Sequence, residues 1–174
     1  MPIAIPRPEP GEYAEYYTRY IARVPGDDAL PALALAPPPL IARLAGVDPM
    51  RGAHRYADDK WTVTQVVQHV ADAERVFAYR ALRFARADAT PLPGFDEVLW
   101  MPETGAERRT LDDVLAEFAT VRSATLSLLR SLPAGAASRR GVANDVPFSV
   151  RALAWIMAGH ELHHLAILRE RYDL

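Results

Sequence analysis

Three of the five histidines in this chain lie in the segment GHELHHLAILRERY, which runs from Gly159 to Tyr172. His160 and His164 are four residues apart, so on a helix their imidazoles point the same way, one turn apart. Imidazole nitrogens are common ligands of divalent transition metals, and two at this spacing can bind one ion. The segment therefore predicts a metal site on a helix, with a polar patch on a surface helix as the competing interpretation.

The apolar residues around this pair help to decide between the two interpretations. Positions spaced by three and four form an apolar stripe on the predicted last helix, and its members are Val150, Leu153, Met157 and Ile167. His160 and His164 continue that stripe, so they are predicted to face the core rather than solvent. Buried imidazoles need partners, and no carboxylate lies on the same stripe to provide one.

A third histidine lies far upstream, in another strongly patterned segment. His69 falls three residues after Val66 and four before Ala73, which places it on the inner edge of a predicted helix. A helical bundle can bring it opposite His160 and His164. Three neutral imidazoles and a water form the ligand set of a catalytic type of site, which keeps one position open. Core histidines that are satisfied without a metal are the alternative.

Other polar residues near these segments have simpler interpretations. His163 stands beside the stripe, either as a hydrogen-bonding neighbour of the ligands or as an exposed side chain. Asp72 is one turn from His69 and could orient its ring. Solvent exposure is predicted for three further residues, which are His54, Glu74 and Glu161.

Four long helices joined by loops are predicted to position these residues. Capping residues mark the start of three of them. In chain order the caps are Thr62 or Thr64, Thr110 with Asp113 three residues later, and Ser149. Strand signals are almost absent, and the segments 88–109 and 133–148 are predicted to be loops. The pattern predicts an all-α bundle.

The front of the chain is rich in proline, with ten of the fifteen prolines in the first 50 residues. Residues 1–10 are predicted to be extended, and a Tyr-rich stretch after them forms a short helix. Asp27 or Asp28 caps a second helix, which Pro37, Pro38 and Pro39 must break into two pieces. The length of 174 residues favours a single domain over residues 1–174.

The composition excludes several classes of function. The net charge is −2 and a quarter of the residues are charged, so neither a nucleic-acid nor a membrane partner is indicated. The N-terminus lacks the apolar core of a secretory signal, which predicts a cytoplasmic protein. The chain has no cysteine. Any metal ligands must therefore be nitrogen or oxygen atoms, and any reacting thiol must come from outside the chain.

A resemblance to the DinB-like superfamily rests on four segments taken together: KWTVTQVVQHVADAERVFAYRALRFA, LPGFDE, RRGVAN and RALAWIMAGHELHHLAILRERY. The specific part is a helix-borne histidine followed far downstream by HxxxH, and the likeness extends from about Gly11 to the C-terminus. It implies a four-helix-bundle metalloprotein, here with short extra N-terminal helices. Members are related to enzymes that use low-molecular-weight thiols such as bacillithiol or mycothiol.

The resemblance also implies functional residues. The metal ligands of the family, which bind nickel, zinc or a similar divalent ion, correspond to His69, His160 and His164. The segments LPGFDE and RRGVAN resemble loop motifs of a subgroup and suggest that Asp96, Arg140 and Asn144 lie near the pocket. The segment LAPPPL departs from the family, because relatives are expected to have an uninterrupted helix there.

Three functions stay open at this point. A metal-dependent enzyme would activate a low-molecular-weight thiol for S-transfer, or water for hydrolysis, with His163 or Asp96 as the general base. The resemblance favours the transferase, acting on a small-molecule substrate, and it implies a homodimer. A non-catalytic, stress-related metal-binding protein would close the site with a fourth ligand such as His163 or Asp72. A helical bundle without a metal is the third possibility.

Overall fold

The computed structural model describes residues 4–174 as a helical bundle with one small hairpin. Its α-helices are α1 (Thr18–Ile21), α2 (Ala29–Leu33), α3 (Pro39–Leu44), α4 (Val63–Ala85), α5 (Glu97–Trp100), α6 (Leu111–Arg130) and α7 (Val150–Arg171). The hairpin strands are β1 (Arg140–Ala143) and β2 (Val146–Ser149). Short 3-10 turns occupy Glu15–Tyr17, Pro49–Ala53, Met101–Thr104, Ala106–Arg108 and Ala136–Ser138. The predicted helical bundle with short N-terminal helices is confirmed.

The N-terminal residues 4–10 are not helical, and the helices of the bundle are not membrane-spanning segments within residues 4–174. Of the segment 1–10 that is predicted to be extended, residues 4–10 carry no helix, and residues 1–3 lie outside the described part of the chain. Within residues 4–174, none of the helices combines the length and the apolar character that crossing a membrane requires.

Side-chain caps start the three long helices as the sequence predicts. Of the two threonines proposed for α4, Thr62 is the cap: its hydroxyl accepts from Gln65 N at 3.2 Å, and the Gln65 side chain accepts from Thr62 N at 2.9 Å. Thr110 and Asp113 form the same reciprocal box at α6. The hydroxyl of Ser149 caps α7. These bonds satisfy backbone N–H groups that a helix start leaves without an intrahelical partner.

The predicted fourth long helix is instead the three short helices α1, α2 and α3, all of which pack along α7. Asp28 caps α2 by accepting from Leu30 N at 3.0 Å. The prolines at 37–39 separate α2 from α3, and Pro39 occupies the first turn of α3, where the missing N–H is not needed. A proline farther inside would remove a hydrogen bond and clash with the preceding turn. The predicted break into two helical pieces is therefore confirmed as α2 and α3.

The segments predicted to be loops carry more structure than expected. Residues 133–148 contain β1 and most of β2, joined at Asn144 and Asp145, whose positive φ angles of 52° and 59° suit a two-residue hairpin turn. The segment 88–109 contains α5 and two 3-10 turns, and it pairs with the hairpin. Leu92 N donates to Val142 O at 2.9 Å, and Asn144 N donates to Leu92 O at 3.0 Å. The hairpin thereby holds this segment beside α4.

Two groups of buried apolar side chains fill the bundle, one toward each end. On α7, Met157 belongs to one group and Leu165 to the other, and on α4 the boundary falls between Val70 and Ala73. The predicted site histidines on both helices therefore lie where the two apolar groups meet.

A buried ionic network crosses the bundle beside this boundary. The Arg122 guanidinium donates to both carboxylate oxygens of Glu74, at 2.9 Å and 2.8 Å, and its Nη1 lies 2.9 Å from Oε2 of Glu161. Glu161 Oε1 also accepts from Leu40 N at 2.9 Å. The prediction that Glu74 and Glu161 face solvent is therefore wrong, because a cation and a backbone donor compensate for their burial.

Replacing Gly159 with alanine is expected to destabilise the fold by about 1–3 kcal/mol, although alanine is the better helix former. A Cβ at this position would lie 2.0 Å from the carbonyl oxygen of Tyr20, so α1 would have to move away from α7. Urea denaturation of the wild type and the variant measures the difference. An equal or higher free energy of unfolding in the variant would show that α1 does not approach α7 this closely.

Candidate metal centre

His69 of α4 and His160 and His164 of α7 point ring nitrogens at one another. His160 Nε2 lies 3.1 Å from His69 Nε2 and 3.1 Å from His164 Nε2. One nitrogen from each ring can be chosen so that all three lie within 4.8 Å of one another. His69 and His160 are buried, and His164 is partly exposed. The structure thus brings together the three histidines that the sequence singles out, while their role as metal ligands stays a prediction.

The spacing of these nitrogens suits a shared ion. Two nitrogens bound to zinc at about 2.0–2.1 Å are roughly 3.3 Å apart when their bonds meet at a tetrahedral angle. A neutral imidazole nitrogen offers either one hydrogen or one lone pair. His160 Nε2 therefore cannot make a full hydrogen bond to both neighbours at once. An ion among the three rings would take a lone pair from each, so the donor set fits a divalent metal.

Burial lowers the pKa of all three imidazoles. For His69, burial is the main cause, with His163 contributing less, and the pKa falls to about 4. For His160 and His164, burial is again the largest cause, followed by the neighbouring imidazoles, and both pKa values fall well below the ordinary range. At neutral pH the rings are uncharged, which is the form that donates a lone pair to a metal.

Aromatic side chains rather than carboxylates surround the three rings. The ring centroids of Trp61 and His69 are 5.0 Å apart, and Tyr20 meets His160 edge-on at 5.3 Å. The Nδ1 atom of His164 is buried and has no hydrogen-bond partner among residues 4–174. The orientation of these rings therefore depends on packing against aromatic side chains. In many metal sites a hydrogen bond to a carboxylate orients the ligating imidazole instead.

Asp72, which the sequence proposes as the partner of His69, bonds elsewhere. Its Oδ1 accepts from Gln68 Nε2 at 3.2 Å and from Arg75 Nη1 at 3.0 Å. It therefore neither orients His69 nor joins the three-histidine cluster. His54, predicted to be solvated, is exposed.

A cavity of about 140 Å³ borders the cluster, with His69 and His160 in its wall. Other walls come from α4, from the Glu15–Tyr17 turn with α1, and from the segment 88–109. Within the described part of the chain, no fourth histidine or carboxylate joins the metal-competent group. If these three histidines held an ion, a site with only three protein ligands beside a small cavity would keep a coordination position open.

A comparison with protein families assigns the fold. The family model of the DinB superfamily matches residues 32–168, which is most of the chain. The chain belongs to the DinB superfamily. No curated protein matches this DinB-superfamily chain in sequence.

A solved structure has a similar fold. YfiT from Bacillus subtilis matches this DinB-superfamily chain with a TM-score of 0.71 and 21% sequence identity, over 95% of this chain and 91% of YfiT. YfiT is described as a probable metal-dependent hydrolase with an unusual four-helix bundle topology. At this identity the likeness shows a shared fold, which the DinB superfamily assignment also implies.

The two residues predicted as a general base lie outside the three-histidine cluster of this DinB-superfamily protein. The His163 ring packs 5.2 Å from that of His164 and 5.1 Å from that of Tyr20, and its Nδ1 is buried without a partner in the described chain. Asp96 is exposed and caps α5 by accepting from two of its backbone N–H groups at 2.9 Å and 3.0 Å. Neither side chain lines the cavity.

Of the two hairpin residues predicted to lie near the pocket, Arg140 and Asn144, only one lines the cavity. Asn144 lines the cavity from the hairpin turn. Arg140 lies away from it, because its guanidinium donates to Gly11 O at 3.4 Å and to Glu12 Oε1 at 3.3 Å. The hairpin of this DinB-superfamily protein therefore presents Asn144, and not Arg140, to the cavity.

Several cavity residues were missed by the sequence analysis. Arg80 is 3% exposed and follows His69, Ala73 and Phe77 on one face of α4. That spacing is readable from the sequence, because positions 69, 73, 77 and 80 repeat with the period of a helix. Tyr17 lines the cavity too, although the sequence predicts only a short helix for its segment.

The metal-free protein is expected to lose stability as pH falls from 6.5 toward 4. Burial lowers the pKa of folded His69 from about 6.5 to about 4, so between these values the unfolded chain binds more protons. His69 alone accounts for a loss of roughly 3 kcal/mol across this window, since each unit by which its pKa is lowered on folding corresponds to about 1.4 kcal/mol. His160 and His164 act in the same direction.

Urea denaturation of the metal-free protein at about pH 7 and about pH 4 measures this loss. The variant His69→Gln is the matched control, because its side chain does not titrate and its stability should change less between the two conditions. Equal pH dependence in the wild type and the variant would contradict the burial of a neutral His69.

Proposed function

We propose that this chain is a metal-dependent enzyme in which His69, His160 and His164 hold one divalent ion, zinc or nickel. The observation that supports it most directly is the convergence of three neutral imidazoles, two of which, His69 and His160, lie in the wall of a cavity. The same cluster recruits no fourth protein ligand from residues 4–174. A structural metal site would normally be closed by four protein ligands, so the open arrangement favours catalysis over a non-catalytic, stress-related role.

The ion, when bound, supplies a Lewis acid that lowers the pKa of a thiol or a water molecule at the open position. The chain itself contributes the three imidazoles, held neutral by burial, and the Trp61 and Tyr20 rings that pack against them. It has no cysteine, so a reacting thiol must enter as a cosubstrate. Neither His163 nor Asp96 lines the cavity, so in this proposal the deprotonated nucleophile forms without either of them as a base.

The proposed reaction is transfer of a low-molecular-weight thiol to an electrophilic small molecule. Hydrolysis by an activated water is the second candidate, and the likeness in fold to YfiT, described as a probable metal-dependent hydrolase, supports it. Both reactions place a nucleophile at the same open position and differ only in what occupies it. A homodimer in the cytoplasm stays a prediction from the resemblance and the sequence.

The test uses protein reconstituted with zinc or nickel, bacillithiol, and 1-chloro-2,4-dinitrobenzene, from which a thiol displaces chloride. We expect a metal-dependent rate above the uncatalysed reaction, lost in His164→Ala and retained in His54→Ala. Hydrolysis of p-nitrophenyl acetate is measured in parallel. Metal-dependent hydrolysis without thiol transfer would select the second candidate. Neither reaction in fully metal-loaded protein would contradict the enzyme proposal for these two reaction classes.

A further inference from the structure

Arg80 lines the far end of the cavity from the histidine cluster. His69, Ala73, Phe77 and Arg80 share one face of α4 and all contact the cavity. Eleven residues separate the first from the last, which is three helical turns, or about 16 Å between Cα atoms. Side chains on a helix lean toward its N-terminus, so the guanidinium leans back toward the histidines. The cavity wall thus has a cluster of ligand nitrogens at one end and a cation at the other.

Arg80 is a buried cation without a carboxylate. Its Nη2 donates to the carbonyl oxygen of Pro93 at 3.0 Å. No Asp or Glu oxygen among residues 4–174 lies within 4.0 Å of its guanidinium. A guanidinium carries five N–H donors, and the buried Arg122 shows how this fold satisfies them, with two carboxylates. An unpaired charge at 3% exposure is costly, so the remaining donors of Arg80 are suited to a ligand.

On α4, the wall between the two ends is apolar. Ala73 and Phe77 lie between His69 and Arg80 on α4. The Arg80 guanidinium is 5.9 Å from the Phe77 ring centroid and 5.7 Å from that of Phe95. Glu97 also lines the cavity, but it is exposed and makes no ion pair with Arg80. A molecule that spans the cavity would therefore meet a methyl group and a ring on its α4 side.

We infer that Arg80 binds the carboxylate of the substrate, whose apolar body lies along Ala73 and Phe77 and whose reacting group reaches the histidines. A planar guanidinium matches a carboxylate with two parallel hydrogen bonds, which favours this anion over a neutral polar group. The single positive charge of Arg80 matches one negative charge. The position of the reacting group rests on the proposed function, whereas the carboxylate site rests on Arg80 and its surroundings alone.

The test compares hexanoate with its neutral isostere hexanamide by isothermal titration calorimetry. The wild type, Arg80→Met and Arg80→Lys are each measured with zinc bound and after zinc removal. We expect the wild type to bind hexanoate at least about tenfold more tightly than hexanamide, because a charge-assisted pair replaces a neutral one. The ratio of the hexanamide to the hexanoate dissociation constant should fall to about one in Arg80→Met and be partly restored in Arg80→Lys. Because the preference is a ratio within each protein, a change in fold or in the Pro93 contact does not imitate it.

The outcomes separate this inference from the proposed function. A preference that Arg80→Met leaves unchanged would overturn the inference, because Arg80 would then not hold the carboxylate. A preference that zinc removal abolishes in the wild type would place the carboxylate at the metal and overturn it as well. No binding of hexanoate to folded wild type would overturn it as well. Zinc content, measured on the same samples, reports on the proposed function independently, since a hexanoate preference in zinc-free protein does not require the ion.

Discussion

Arg122→Met is expected to lower the free energy of unfolding by about 3–5 kcal/mol, because it leaves two buried carboxylates without their cation. Glu74 and Glu161 are each 2% exposed and share this one guanidinium. The network also joins α4, α6 and α7 next to His160, so its loss should loosen the helices that carry the site. For a chain of this length the melting temperature should fall by roughly 6–20 °C. Thermal and urea denaturation measure both quantities.

Arg75→Met is the matched control for this substitution. Arg75 also lies on the bundle and contacts two carboxylates, Asp72 and Glu117, but its side chain is 46% exposed. An exposed ion pair contributes about 0–1 kcal/mol, so this variant, with the same change in net charge, should lose less than about 1 kcal/mol. Comparable losses in the two variants would mean that the Arg122 network does not hold the bundle together.

Zinc is expected to stabilise the metal-free protein by about 2.7 kcal/mol when free zinc is 100 times its dissociation constant, because the ion binds only the folded state. The melting temperature should rise accordingly and return to its starting value when a chelator is added. In His160→Ala this zinc-dependent rise should be lost, since His160 Nε2 lies 3.1 Å from both other ligand nitrogens. Thermal denaturation with and without zinc measures the shift within each protein.

His54→Ala is the matched control for the zinc shift. His54 is exposed and lies outside the three-histidine group, so this variant should keep the full zinc-dependent rise. A rise of the same size in His160→Ala would show that zinc stabilises the protein from another site. A wild type that zinc does not stabilise would contradict the account outright.

Local signals made much of this fold predictable. The caps Thr62, Thr110 and Ser149 are read directly from the sequence, because each accepts from the backbone N–H three residues later. The inward direction of His160 and His164 follows from the period of one helix. These features depend on residues close together in the chain.

Features that depend on distant parts of the chain were not predictable in the same way. Glu161 was predicted to be exposed, whereas its burial depends on a cation from another helix, Arg122 of α6. The hairpin was missed because its strands have only four residues each and its turn uses Asn144 and Asp145 rather than glycine. Asp96 was assigned to the pocket by resemblance, and the structure uses it as a helix cap.

The most direct test of the account is the metal content of protein purified without an affinity tag, measured by inductively coupled plasma mass spectrometry. We expect about one zinc or nickel ion per wild-type chain. The metal should be almost completely lost in His69→Ala, His160→Ala and His164→Ala, and His54→Ala should keep the wild-type content. Wild-type protein well below one ion per chain after zinc or nickel reconstitution would contradict the central claim. So would the same metal content in the wild type and in His160→Ala.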